Sequence, residues 1–160
     1  MSFTLDERHA EFILRPHTSV AVASRAANNV PSLFKAAACR VSPDRRRVTL
    51  YVDQQLAASV LRDLRAGSPV AAVFTEPGTH RSIQLKGERA DIGSATPADR
   101  EYARERIESV VVHLTALRYP EAGVRCYFHF VPEQLIAVSF TPTAAFEQTP
   151  GPGAGTRLDK

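Results

Sequence analysis

Thr79-His80-Arg81-Ser82-Ile83-Gln84-Leu85-Lys86-Gly87 decides how the rest of the chain is read. The two-residue repeat of a β-strand puts His80, Ser82, Gln84 and Lys86 on one face and Arg81, Ile83 and Leu85 on the other. One face is a row of hydrogen-bonding groups ending in a cation, and the other is largely apolar. The strand is expected to run from His80 to Ile92, with Gly87 as a bulge or bend. The polar row suits a polar heterocycle with an attached phosphate, or simply solvent; the stripe alone leaves both open.

Working outward, the neighbouring segments are also strands. Val70 to Thr75 leads into a Glu76-Pro77-Gly78 turn, and Val48-Thr49-Leu50-Tyr51-Val52 is rich in β-branched and aromatic residues. Thr18 to Ser24 alternates around Val20 and Val22, and Ser32 to Val41 reads as one thin strand with Lys35 among apolar neighbours. Such a cation must snorkel to water or meet an anion. Val124 to Phe130 alternates Val124, Cys126, Phe128, Phe130 against Arg125, Tyr127, His129, which predicts a further strand; the last strand runs from about Gln134 to Phe140.

Three helices flank these strands. Thr4-Leu5-Asp6-Glu7 has the pattern of a capping box for a helix ending near Arg15-Pro16. Asp53 is a candidate cap for a helix bearing Leu56, Val60 and Leu64, and Gly67 closes it. Thr96-Pro97-Ala98-Asp99 opens the longest helix, whose apolar stripe is Ile107, Val110, Val111, Leu114 and Leu117. Its Glu101, Glu105 and Glu108 alternate with Arg100, Arg104 and Arg106, read as surface ion pairs. Short turns between strands predict an α+β, mainly β fold: a six- to seven-stranded antiparallel split β-barrel with flanking helices. Residues 1–145 form this domain, and 146–160 form a Gly/Pro-rich tail without P-loop spacing.

Composition narrows the function classes. The chain has 160 residues, 44% of them hydrophobic, and a formal charge of +3. That balance, without a broad basic face carrying aromatic residues, argues against nucleic acid and leaves a small anionic ligand compatible. No apolar run spans a membrane, and acidic Asp6 and Glu7 stand where a signal peptide would be basic, so a cytoplasmic location is expected. Cys39 and Cys126 form no metal-ligand pattern and are read as buried thiols. The five histidines are scattered, and no GxSxG elbow occurs. A polar pocket without a catalytic set is what a cofactor-dependent protein presents.

The order of elements, the Ser19-Val20-Ala21-Val22-Ala23-Ser24 strand, the Asn29-Val30-Pro31 turn, Leu50-Tyr51-Val52 and Arg81-Ser82-Ile83-Gln84-Leu85-Lys86-Gly87 together resemble the pyridoxamine 5'-phosphate oxidase-like, FMN-binding split-barrel superfamily. The likeness covers about residues 5 to 140. It implies a homodimer with FMN at the subunit interface and an oxidoreductase acting on a small-molecule substrate. A non-enzymatic flavin or haem carrier of the same fold is the alternative. By position, Lys35 corresponds to the basic residue near the phosphate. Tyr51 and Val52 correspond to the strand edge along the flavin, and Ser82, Gln84 and Lys86 to the strand making polar contacts. The sequence departs from the family at the short helix, where Gln54-Gln55-Leu56-Ala57-Ala58-Ser59 stands in place of a Ser-Arg-Lys phosphate anchor.

Overall fold

The computed structural model describes residues 3–158. Alternation of buried and half-buried residues drives the chain into strands. The first helix, α1 (Glu7–Leu14), buries Ala10, Phe12 and Ile13. It is followed by β1 (Ser19–Arg25), β2 (Pro31–Ala36), β3 (Ala38–Val41), β4 (Val48–Asp53), α2 (Ala58–Arg65), β5 (Val70–Thr75), β6 (Ser82–Gly87) and β7 (Asp91–Ser94). Then come α3 (Pro97–Ala116), α4 (Glu121–Tyr127), a 3₁₀ turn over Pro132–Gln134, β8 (Leu135–Phe140) and β9 (Ala144–Glu147). The strands form two antiparallel sheets, β2-β1-β5-β6-β9 (sheet A) and β3-β4-β8-β7 (sheet B). The fold is α+β and mainly β.

Two stretches that read as single strands each divide between the sheets. The run from Ser32 to Val41 becomes β2 in sheet A and β3 in sheet B; the run from His80 to Ile92 becomes β6 in sheet A and β7 in sheet B. These are barrel corners, where a strand leaves one sheet and joins the other. Gly87 marks the second corner because there is no room for a side chain: a Cβ there would sit 2.7 Å from Phe140 Cδ2 and 3.1 Å from the Thr141 carbonyl. His80 falls outside the strand, in the exposed turn before it, with φ of 58°.

The interior between the sheets is filled by Val20, Val22, Leu50, Val52, Ala72, Phe74, Ile83, Leu85, Val138 and Phe140, closed at the ends by Phe12, Ile13, Leu61 and Leu64. Leu56, expected in the stripe of α2, is exposed instead. The helix starts at Ala58, after a turn in which Asp53 Oδ1 accepts from the amides of Gln55 and Leu56. The N-cap of α1 is Asp6 rather than Thr4, since Asp6 accepts from the Arg8 amide at 2.9 Å. At α3 the expected Thr96 cap forms, and with Asp99 it makes a capping box.

The strand expected over Val124 to Phe130 is instead the last part of α4, through Tyr127, and the turn that follows it. Val124 and Phe128 are four apart, so a two-residue and a helical repeat bury the same pair, and both are buried in α4 and its cap. The residues that separate the two readings are Cys126, which is exposed, and Phe130, which is half-buried. The chain reverses at Arg118, in the left-handed region at φ 69°, and α4 packs back on α3 in a cluster of Val110, Val111, Leu114, Val124 and Phe128. Arg106 is buried rather than at the surface: its guanidinium donates to the carbonyls of Leu14, Arg15 and Thr18. It therefore satisfies carbonyls left open where α1 ends. No helix among the described residues is long and apolar enough to cross a membrane.

Candidate functional site

The outer face of sheet A is set by strand register. Inward residues of β1, β5 and β6 are Val20, Val22, Val70, Ala72, Phe74, Ile83 and Leu85. Their neighbours point the other way. Lys35, Ala21, Val73, Gln84 and Phe146 make one row across the five strands, and Leu33, Ala23, Ala71, Lys86 and Ala144 the next. A third row joins Ser19, Thr75 and Ser82. The centre of the face is alanine and valine, so a flat body can approach the backbone closely. Leu33, 66% exposed, stands at its β2 side.

At one end of this face lies a groove of about 330 Å³ lined by Ala23, Arg25, Asn29, Ala71, Lys86 and Gly87 among others. Arg25 bonds the Asn29 side-chain oxygen, and Lys86 Nζ lies 4.8 Å from the Phe146 ring centre. Among the described residues neither cation has a carboxylate partner. Two cations beside an alanine floor form a seat for an anion attached to a planar group.

Of the residues singled out by sequence, Ser82, Gln84 and Lys86 come together on this face. Ser82 is the most committed: its hydroxyl donates to the His80 carbonyl and shares a hydrogen bond with Thr75, and its amide donates to Thr149 Oγ1. Gln84 Oε1 accepts a long 3.5 Å contact from Gln148. Lys35 is on the same face but three strands from Lys86, about 15 Å away at the usual strand spacing, so one phosphate cannot reach both. Its ammonium stands 4.3 Å from the Tyr127 ring centre and 5.1 Å from that of Phe34. Burial holds its pKa below the ordinary lysine value, with Cys126 opposing.

Tyr51 and Val52 are in sheet B. Val52 lies in the core. Tyr51 is buried under α3, its hydroxyl donating to Asp99 Oδ1 at 2.7 Å. Burial, reinforced by that carboxylate, pushes its phenol up to about 12. Neither offers a free polar side chain. The small cavity beside them, between Lys35, Asp53, Phe128 and Phe130, holds only about 10 Å³. Arg25 escaped sequence reading; its position three residues before the Asn28-Asn29 turn gave no chemical signal of its own.

The tail bears on the site as well. Residues 148–158 fold back along β9: Gly155 N donates to the Glu147 carbonyl, Leu158 N to that of Ala145, and Phe146 bridges to Arg157. Gly151 and Gly155 adopt positive φ in the turn that permits this return. The segment thickens the edge of sheet A next to Gln84 and Lys86.

No family model matches this sequence, and no curated protein matches it. Solved structures do. HupZ from Group A Streptococcus is similar with a TM-score of 0.56 at 10% identity, covering 94% of this chain and all of that one. A Clostridium acetobutylicum protein of the pyridoxinephosphate oxidase family, related to general stress protein 26 of B. subtilis, gives 0.55 at 12%, over 97% and 98% of the chains. An F420 reductase gives 0.53 at 12%, over 88% and 98%. At these identities the likeness is one of fold: the chain has the pyridoxamine 5'-phosphate oxidase-like split-barrel architecture.

Proposed function

We propose that the protein binds FMN on the outer face of sheet A, in a homodimer whose second copy covers that face, and acts as an oxidoreductase on a small molecule. The observation that carries this reading is the alanine floor of Ala21, Ala23 and Ala71 beside two uncompensated cations, Lys86 and Arg25. Small side chains let an aromatic ring lie within van der Waals distance of the strands. Lys86 and Arg25 hold the phosphate by charge-assisted hydrogen bonds, and Gln84 supplies an amide to the ring edge. Leu33 and Phe146 bracket the floor and give a second copy apolar surface to bury.

Lys35, Tyr51 and Val52 enter this reading unequally. Lys35 lines the far margin of the face, while Tyr51 and Val52 fix the sheet behind it. When bound, FMN supplies reversible two-electron transfer. The outer face itself presents no His, Cys, Asp or Glu, so acid–base work is left to cofactor and substrate. That same lack favours a second reading, a flavin carrier without turnover.

Titration of the purified protein with FMN, followed by absorbance and fluorescence, tests both readings. Binding with turnover of a reduced nicotinamide supports the oxidoreductase, and binding without turnover supports the carrier. A protein that gains no flavin spectrum contradicts both.

A further inference from the structure

A second groove, of about 540 Å³, lies where the end of α2 meets the corner between β6 and β7. Leu64, Arg65, Arg89, Ala90, Asp91 and Ile92 line it. Leu64 belongs to the core, and Ala90 and Ile92 pack against that core, so the apolar part of the lining is fixed. Arg65 and Arg89 are exposed. No residue of this lining also lines the groove on sheet A.

The charges in the lining are unevenly engaged. Asp91 is its one acid, and Arg47 holds that carboxylate at 2.5 Å. Among the described residues Arg65 and Arg89 have no carboxylate partner. Elsewhere on the surface Arg15, Arg40 and Arg104 pair with Glu76, Asp99 and Glu101. Arg65 stands in the last turn of α2, where a cation commonly serves the open carbonyls of a helix end. Here the backbone serves them: the carbonyls of Arg62, Asp63 and Leu64 accept from the amides of Ala66, Ser68 and Gly67 in turn. Both guanidiniums therefore keep their donors for water or a ligand.

We propose that this groove binds a small organic phosphate monoester, its phosphate held by Arg65 and Arg89 and its carbon body against Ala90 and Ile92. The occupant follows from the charges in the lining itself: two cations without counter-ions stand beside one acid that is already neutralised. A guanidinium presents a planar fork of N–H donors that meets phosphate oxygens two at a time. Two such forks, one from α2 and one from the corner after β6, suit a phosphate dianion better than a carboxylate. The proposal is independent of flavin binding on sheet A.

The experiment titrates the full chain with phenyl phosphate and, separately, with benzoate at neutral pH. Affinity is read from the backbone NMR signals of Gly67 and Ile92, while those of Ala23 and Ala71 report on the sheet A groove. Phenyl phosphate is expected to move the Gly67 and Ile92 signals and to bind there about tenfold more tightly than benzoate. Arg65→Gln and Arg89→Gln, both at exposed positions, should each weaken that binding about tenfold. Arg46→Gln removes one exposed charge outside the groove and should leave it unchanged. Equal affinity for phenyl phosphate and benzoate overturns the proposal, as do shifts confined to Ala23 and Ala71. A loss on Arg46→Gln as large as that on Arg89→Gln also overturns it, because the attraction would then belong to the whole surface.

Discussion

Sheet A and sheet B are built from the same kind of alternating strand, yet their outer faces are used in opposite ways. On sheet B, α3 lies across the strands, and Ala38, Tyr51, Ala95, Ala103 and Leu135 close into a cluster beneath it. Polar tips there find partners: Tyr51 donates to Asp99, and Tyr102 donates to the Cys39 carbonyl. On sheet A the outer face carries alanine, valine and leucine with Lys35, Gln84, Lys86, Phe146 and the hydroxyls of Ser19, Thr75 and Ser82, and α4 touches its margin through Tyr127 over Lys35. The covered face stabilises the fold, and the face of small residues is the one on which the proposed flavin would lie. The contrast separates Tyr51 and Val52 from Ser82, Gln84 and Lys86, although sequence grouped all five.

The largest effect belongs to the corner that divides the sheets. Gly87→Leu forces a side chain against Phe140, Val70 and the Thr141 carbonyl, and should cost about 3 kcal/mol in chemical unfolding. An unchanged midpoint would mean that the corner is loosely packed and that the two faces are not held apart by it. Lys86→Ala comes next: FMN affinity should fall about tenfold, roughly 1.4 kcal/mol, while stability stays within about 0.5 kcal/mol of the parent. Tyr51→Phe should do the reverse. It should lower stability by about 1 kcal/mol through the lost Asp99 hydrogen bond and leave FMN affinity alone. A drop in FMN affinity would blur the division between the faces.

The smallest effect concerns the turn that ends β5. Hydrogen bonds from Thr79 and His17, with Arg15 beside them, hold the Glu76 carboxyl at a pKa of about 2 against an ordinary 4.5. A depressed acid stabilises the fold above its ordinary pKa, and that contribution disappears as pH falls through the folded value. Glu76→Gln should thus be less stable than the parent at pH 7, by no more than about 1 kcal/mol, with the gap closing between pH 4.5 and about 2. A gap that persists at pH 2 would assign the effect to packing.

The sequence revealed most of the fold because β-strand alternation and helix caps are local signals. Val70–Thr75 has the bounds expected of it, and α3 starts at the Thr96 cap with Asp99 in place. What it hid was non-local. Nothing in Ser32–Val41 or His80–Ile92 announces that a strand changes sheets halfway, because the change depends on which edge the next sheet offers. Val124–Phe130 misled for a different reason: its buried pair satisfies both periodicities, and only the exposure of Cys126 and the partial burial of Phe130 distinguish them. Arg106 looked like its charged neighbours, and its burial follows from the carbonyls at the end of α1, far away in sequence. The candidate site was legible as a stripe on one strand. Its alanine floor, drawn from β1 and β5, needed the register.

The most direct test of the central claim is an FMN titration of the native protein beside Ala71→Glu, with the mass of each measured in solution. Ala71 points outward from the middle of the floor, so a carboxylate there is tolerated by the fold while it repels a phosphate and obstructs a ring. The account predicts that the parent is a dimer that takes up FMN, with the shifted visible bands of a bound flavin, and that the folded variant takes up none. A variant that binds FMN as tightly as the parent, or a parent that binds none, contradicts it.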